Sequence, residues 1–373
     1  MANASSLVNF GASGGLSVGD WTYSPYALSA PSYLPLNSYT ASYLVSSYTA
    51  LAALVTTPVT AFAATARTLP TSADWRSVAY GNGTFVAVAQ STSAAATSPD
   101  GVTWTARTMP SSQIWTSVTY GNGVFVAVAG GASTVAATSP DGITWTARTL
   151  PSSSSWVAIT FGNGVFVAVA SGPSTAAATS SDGITWTART LPSSSAWISV
   201  AYGNGVFVAI VDASTTAASS PDGVTWTART MPSAAAWRSV SYGNNTFVAV
   251  SGGTSTAAAT SSDGLTWTAR TLPSSANWYS VAYGNGSFVA IVFSATAAAT
   301  SPDGVTWTAR TMPSAAAWSN IAYGGMPGAQ NFVAVSIGPS TSAASIAYSV
   351  AQTTFVLPVV APKAGTTAYV KAT

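Results

Sequence analysis

Nine aspartates and nine arginines supply nearly all the charge in this chain, and most of both recur at one spacing. Asp100, Asp141, Asp182, Asp222, Asp263 and Asp303 each stand in a string of the form S-[PS]-D-G-x-T-W, and Arg67, Arg107, Arg148, Arg189, Arg229, Arg270 and Arg310 each stand in TART. Carboxylates in a regular array can act as general acids, as oxygen ligands for calcium, or as acceptors that tie a turn to its own backbone N–H groups. Here the aspartates do not cluster, and Asp-Gly after Ser-Pro is turn chemistry. The expected role is structural, with no metal bound.

The rest of the inventory narrows the chemistry. There is no His, no Cys and no Glu, and the lysines are Lys363 and Lys371. Imidazole and thiolate metal sites are excluded, as are nucleophile–base pairs built on His or Cys; no cofactor and no enzymatic activity are expected. Charged residues make 5% of the 373, against about 25% in a usual soluble domain, so the surface must be Ser, Thr, Ala, Gly and Asn. A formal net charge of +2 provides no basic stripe for nucleic acid. The opening MANASSLVNFGASGG has neither a positive n-region nor an apolar h-region, and no apolar run reaches the length of a membrane span, so neither export nor insertion is expected.

These residues are positioned by a repeat. Trp75, Trp115, Trp156, Trp197, Trp237, Trp278 and Trp318 fall 40 or 41 residues apart, each opening W-x-S-V-A-Y-G-N-G-x-F-V-A-V-A with small variations. One unit reads as strand WTSVTY, turn GNG, strand VFVAVA, a variable linker, strand VAATS, turn PDG, strand ITWTAR and the link TLPSSSS. Asn-Gly supplies the positive φ angles of a tight hairpin, and Pro-Asp-Gly suits a type I turn closed by a left-handed glycine. Four strands per unit at this period predict an all-β fold, a seven-bladed β-propeller over 60–349. The seventh unit lacks TWTART, while an orphan TAFAATARTLP stands at 60–70. Residues 60–68 are therefore expected to supply the last blade's outermost strand and close the ring.

Residues 1–59 and 350–373 differ from the repeats. Gly19-Asp20-Trp21-Thr22-Tyr23-Ser24, Pro31-Ser32-Tyr33-Leu34-Pro35-Leu36-Asn37, the stretch Ser47–Val55 with its Ser-capped helical spacing of Tyr48, Leu51, Leu54 and Val55, and Phe355-Val356-Leu357-Pro358 resemble, in order, the tail-collar domain of bacteriophage fibres. Asn37-Ser38 stands where that pattern has Asp-Gly, and its histidine-containing portion has no counterpart. The resemblance implies a small collar-like domain with a short helix, split by the inserted propeller, in a phage virion protein that is trimeric at this domain and joins other virion proteins through it.

The repeats in turn resemble the Asp-box, or BNR-type, repeats of sialidases, with Asp and Gly adjacent in a shortened string. A sialidase site needs three convergent arginines, a Tyr activated by Glu and an acid Asp; without Glu that Tyr cannot be activated. The TART arginines are expected on outermost strands, solvating edges and stacking on neighbouring aromatics.

What differs between repeats gathers at one end of each. After the Trp comes Arg76, Thr116, Val157, Ile198, Arg238, Tyr279 or Ser319, and the loops on that side add Asp74, Gln90, Gln113, Ile114, Asp212, Asn277 and Phe293. Arg76, Arg238, Tyr279, Asp74, Asp212 and Phe293 are the candidates for binding a receptor, by stacking and hydrogen bonding to a host surface glycan or envelope protein. The expected protein is a tail fibre or adhesin. Its alternatives are a structural collar, capsid or tail decoration, and a bacterial carbohydrate-binding propeller.

Overall fold

The structure is a computed structural model that describes residues 6–8, 21–23, 61–325 and 330–349. The chain divides into two units, Ala61–Ser349 and the pair Met1–Thr60 with Val350–Thr373. In the second, Ser6–Val8 and Trp21–Tyr23 pair antiparallel, the latter inside the Gly19–Ser24 stretch. The helix expected at 47–55, Phe355–Pro358, and Met326–Ala329 of the enlarged turn lie outside the described residues.

Among the described residues every element is a strand. The repeat opened by Trp197 shows the plan: Trp197–Gly203, Val206–Val211, Ser214–Ser220 and Thr227–Ala235 form one four-stranded antiparallel sheet in chain order. Asn204 (φ 47°) and Gly205 (φ 76°) make the first hairpin, placing Gly203 opposite Val206. Two successive left-handed residues are what a two-residue type I′ turn requires. Val206–Val211 is buried almost throughout, because a strand covered on both faces by neighbouring sheets reads as a continuous apolar run.

Two strand boundaries differ from the sequence reading. The fourth strand starts after the repeat's second tryptophan, at Thr227 and its equivalents, since Val-Thr-Trp belongs to the Asp-Gly turn. The stretch read as a link is extended: Thr105–Gly121 and Thr146–Gly162 each run without a break from the outer edge of one sheet to the inner edge of the next.

The inner strands contact one another in chain order, and that of Trp318 returns to that of Trp75. The last sheet lacks a fourth strand of its own and takes it from the other end: Ala61–Thr68 pairs with Ser342–Ser349, with Ala61 opposite Ser349. The unit's first and last residues are thus register partners, and the ring is closed by the ladder itself. This is an all-β, propeller-like fold.

The core lies between sheets. One interface packs Trp197, Phe207, Leu191 and Trp226 with Val167 and Val169 of the preceding repeat. Each first tryptophan is fully buried and donates its Nε1–H to a carbonyl four residues earlier, as Trp197 does to Ser193 O at 3.2 Å. At the hairpin end, Tyr202 lies 4.6 Å from Phe207 and covers Gly162 of the repeat before it. The same contact passes around the ring until Tyr80 covers Gly324 and closes it.

Candidate functional site

The inner strands project side chains toward the axis in tiers. Just inside is a ring of short polar groups. Ser77 Oγ accepts the N–H of Val118 (3.1 Å), Ser199 that of Val240 (3.2 Å), Ser239 that of Val281 (3.2 Å) and Ser280 that of Ile321 (3.3 Å). Ser117 accepts from Ile159, and Asn320 Oδ1 from Val78 at 3.0 Å. Each bond ties one sheet to the next. Ala158 stands at the remaining equivalent position, with no acceptor to offer Val200.

Above this ring the residues following each tryptophan surround the mouth of a cavity of about 220 Å³. Thr116 and Ser319 fold back on the backbone: Thr116 Oγ1 lies 2.8 Å from Trp156 O, and Ser319 Oγ 2.7 Å from Trp75 O. With Ser319 folded away, Arg76 reaches past it and donates from Nη1 to Tyr279 Oη at 3.0 Å. The guanidinium carbons of Arg76 and Arg238 lie 5.8 and 5.9 Å from the Tyr279 ring centroid, within cation–π range. Phe293 backs the same ring at 5.2 Å. Arg238 Nη1 pairs with Asp212 Oδ2 at 3.0 Å, both side chains about 30% exposed. Gly252 matters here: a Cβ would sit 2.4 Å from Asn277 Oδ1 and 3.0 Å from Arg238 Cγ.

Strand ends position these groups. Asp212 N–H donates to Ala196 O and Phe293 N–H to Asn277 O, anchoring each loop to the residue before its own repeat's inner tryptophan. Of the six candidates, five form one contact set: Arg76, Tyr279, Arg238, Phe293 and Asp212. Asp74 stands apart, accepting from Gln90 Nε2 at 3.3 Å. Arg238 Nε and one carboxylate oxygen each of Asp212 and Asp74 are buried without a partner. Across the mouth Val157 and Ile198 line an apolar arc, and these two, with the serine ring, were not among the sequence candidates. The serine recurs so regularly that spacing alone gives it no role.

The Asp-Gly turns lie elsewhere and are self-contained. Asp222 Oδ1 accepts from Val224 N (2.8 Å), Thr225 N (3.0 Å) and Ser220 Oγ (3.0 Å), and Gly223 has φ 74°. Asp100, Asp141, Asp182, Asp263 and Asp303 repeat the pattern. The bond from Thr225 N–H leads in holding the Asp222 carboxyl below its ordinary value, against a counteracting burial; at Asp100 burial is the largest single influence, yet the N–H donors together outweigh it. No group of three or more potential metal ligands forms among the described residues. The TART arginines are fixed by hydroxyls of the adjacent strand, as in Arg148 Nε to Thr138 Oγ1 at 2.9 Å and Arg67 Nε to Ser345 Oγ at 2.8 Å.

No family model matches the sequence, and no curated protein matches it. Solved structures do, and they are β-propellers. Virginiamycin B lyase from Staphylococcus aureus is 12% identical with a TM-score of 0.67, over 77% of this chain and 99% of that one. YCF48 from Cyanidioschyzon merolae is 14% identical with a TM-score of 0.60, over 76% and 98%, and the WD40 propeller domain of Doa1 is 13% identical with a TM-score of 0.60, over 77% and 97%. The chain is therefore similar to the β-propellers in fold.

The likeness corrects one expectation. The sparse acid–base inventory argued against any enzyme, but a propeller of this shape carries a lyase, so that exclusion does not stand. No helix among the described residues is long and apolar enough to cross a membrane.

Proposed function

We propose that this chain is a seven-bladed propeller inserted between the halves of a collar-like domain, 1–59 and 350–373, and that it serves a phage virion as a tail-fibre or adhesin module whose channel mouth engages a host surface glycan or envelope protein. The observation that carries this reading is the convergence at one mouth of side chains that differ between otherwise near-identical repeats, with Arg76, Tyr279 and Arg238 in a single contact set. Divergence on a rigid symmetric frame is how a scaffold acquires a binding site. Related folds hold ligands: an inactive lyase variant with quinupristin, and YCF48 with the D1 peptide. The collar resemblance implies attachment to other virion proteins and a trimer.

The test is adsorption. The purified chain, added to host cells before phage, is expected to slow adsorption, and the Arg76→Ala and Tyr279→Ala variants are expected to slow it less. A chain that neither binds cells nor competes overturns the receptor reading, and gold-labelled antibody over the capsid rather than fibre tips moves it to decoration.

A further inference from the structure

Resting on the receptor reading above, we propose that the mouth is a site for a carboxylate-bearing sugar of the uronic-acid class. Hydrogen-bond donors at the mouth outnumber acceptors. Arg76 uses one of its N–H groups, on Tyr279, and the ion pair of the mouth belongs to Arg238. Arg238 Nε is buried without a partner. Below them, the serine hydroxyls of the inner ring line the cavity and accept backbone N–H bonds, so each still has an O–H proton to donate. The arc is thus rich in donors and holds two cations against one paired carboxylate. Such a site favours an anionic acceptor, and a planar carboxylate fits a guanidinium bidentately.

Two further features select a saccharide. Tyr279 Oη, which accepts from Arg76 and keeps its own proton, and the serine hydroxyls that line the cavity can each donate and accept, which suits a ring whose hydroxyls do the same. Val157 and Ile198 across the mouth meet the C–H face of a pyranose. Stacking on Tyr279 is not the means, because two guanidiniums and Phe293 already surround that ring. The cavity of about 220 Å³ restricts the occupant to one sugar unit, with a longer chain leaving through the mouth.

The experiment is titration calorimetry of the full chain with glucuronate, glucose and acetyl-dialanine at low salt. Glucuronate is expected to bind at least about tenfold more tightly than glucose and to weaken as salt rises. Arg76→Ala, which breaks no ion pair, is expected to cost about tenfold or more. Arg238→Ala is expected to do the same, with its thermal melt checking the fold because Asp212 loses its partner, and Arg148→Ala on an outer strand is expected to change nothing. Equal binding of glucose overturns the carboxylate, tighter binding of acetyl-dialanine replaces the saccharide by a peptide terminus, and no binding by any of the three overturns the site. Adsorption blocked by the chain without glucuronate binding defeats this proposal and leaves the receptor reading; binding without any effect on adsorption does the reverse.

Discussion

Replacing Gly162 by alanine should strike the contact that passes around the ring. A Cβ there lies 2.0 Å from Tyr202 Cγ, 2.2 Å from Cδ1 and 2.6 Å from Cβ. Carbon atoms settle about 3.5–4 Å apart, so the ring or the strand must retreat by roughly 1.5 Å. The tyrosine has nowhere inward to go, since Phe207, 4.6 Å away, is fully buried. Gly162 is not in the left-handed region, so the cost is steric alone. Overpacking of this kind costs about 1–3 kcal/mol, and disrupting an aromatic pair adds about 0.5–1.5, giving a loss of about 1.5–4.5 kcal/mol. At about 2–4 °C per kcal/mol for a large domain, Tm should fall by about 3–18 °C in a calorimetric or tryptophan-fluorescence melt. A Tyr202→Ala background removes the obstruction, so the glycine substitution should cost far less there. A loss below about 0.5 kcal/mol, or one unchanged in that background, refutes the reasoning.

Three further outcomes follow from the same frame. Ala158→Ser should complete the inner hydroxyl ring by giving Val200 N–H an acceptor, raising stability by about 0.5–1.5 kcal/mol, while Ser199→Ala should lower it by a similar amount; thermal melts of the two, moving in the same direction, contradict the ring. Trp156→Ala, which empties a fully buried site, should cost about 3–5 kcal/mol by denaturant titration. The six turn aspartates have carboxyls held below the ordinary value, so their contribution is fully present above the unfolded value of about 3.9 and is lost as pH falls through the folded values. Acid melts should show stability declining below about pH 4, less steeply in Asp222→Asn.

Much of the repeat was legible because turn chemistry and period speak locally. Asn204-Gly205 needs two positive φ angles and has them, and the TAFAATART orphan could only pair where a strand was missing, as Ala61–Thr68 does. The fourth strand was misjudged at its start because Asp222 Oδ1 takes the N–H groups of Val224 and Thr225. A side-chain acceptor there replaces the ladder that a strand would have needed. At the mouth, the variable positions were visible but their contacts were not. Arg76 and Tyr279 are 203 residues apart, and nothing local says that Ser319 folds away to let them meet. Val157 and Ile198 stood among the variable residues but not among the candidates, because only the ring sets them across the mouth from the Arg76–Tyr279 pair.

The placing of variation has a physical cause. In the repeat the tryptophan is tied to a carbonyl four residues earlier, the aromatic of the hairpin to the preceding repeat's glycine, the serine to the next repeat's N–H and the aspartate to its turn. A change at the tryptophan, the aromatic or the serine is felt by two sheets, so most copies keep them, with Ala158, Asn320 and Phe161 as the departures. The residue after the tryptophan faces the open mouth, outside the packed core between sheets. Thr116 and Ser319 spend their side chains on the backbone, whereas Arg76, Arg238 and Tyr279 spend theirs on one another. That second arrangement orders two long cationic side chains at an entropic cost of up to about 2 kcal/mol each, offset by a hydrogen bond, an ion pair and two cation–π contacts, and under the receptor role proposed above the same contacts would preorganise the mouth.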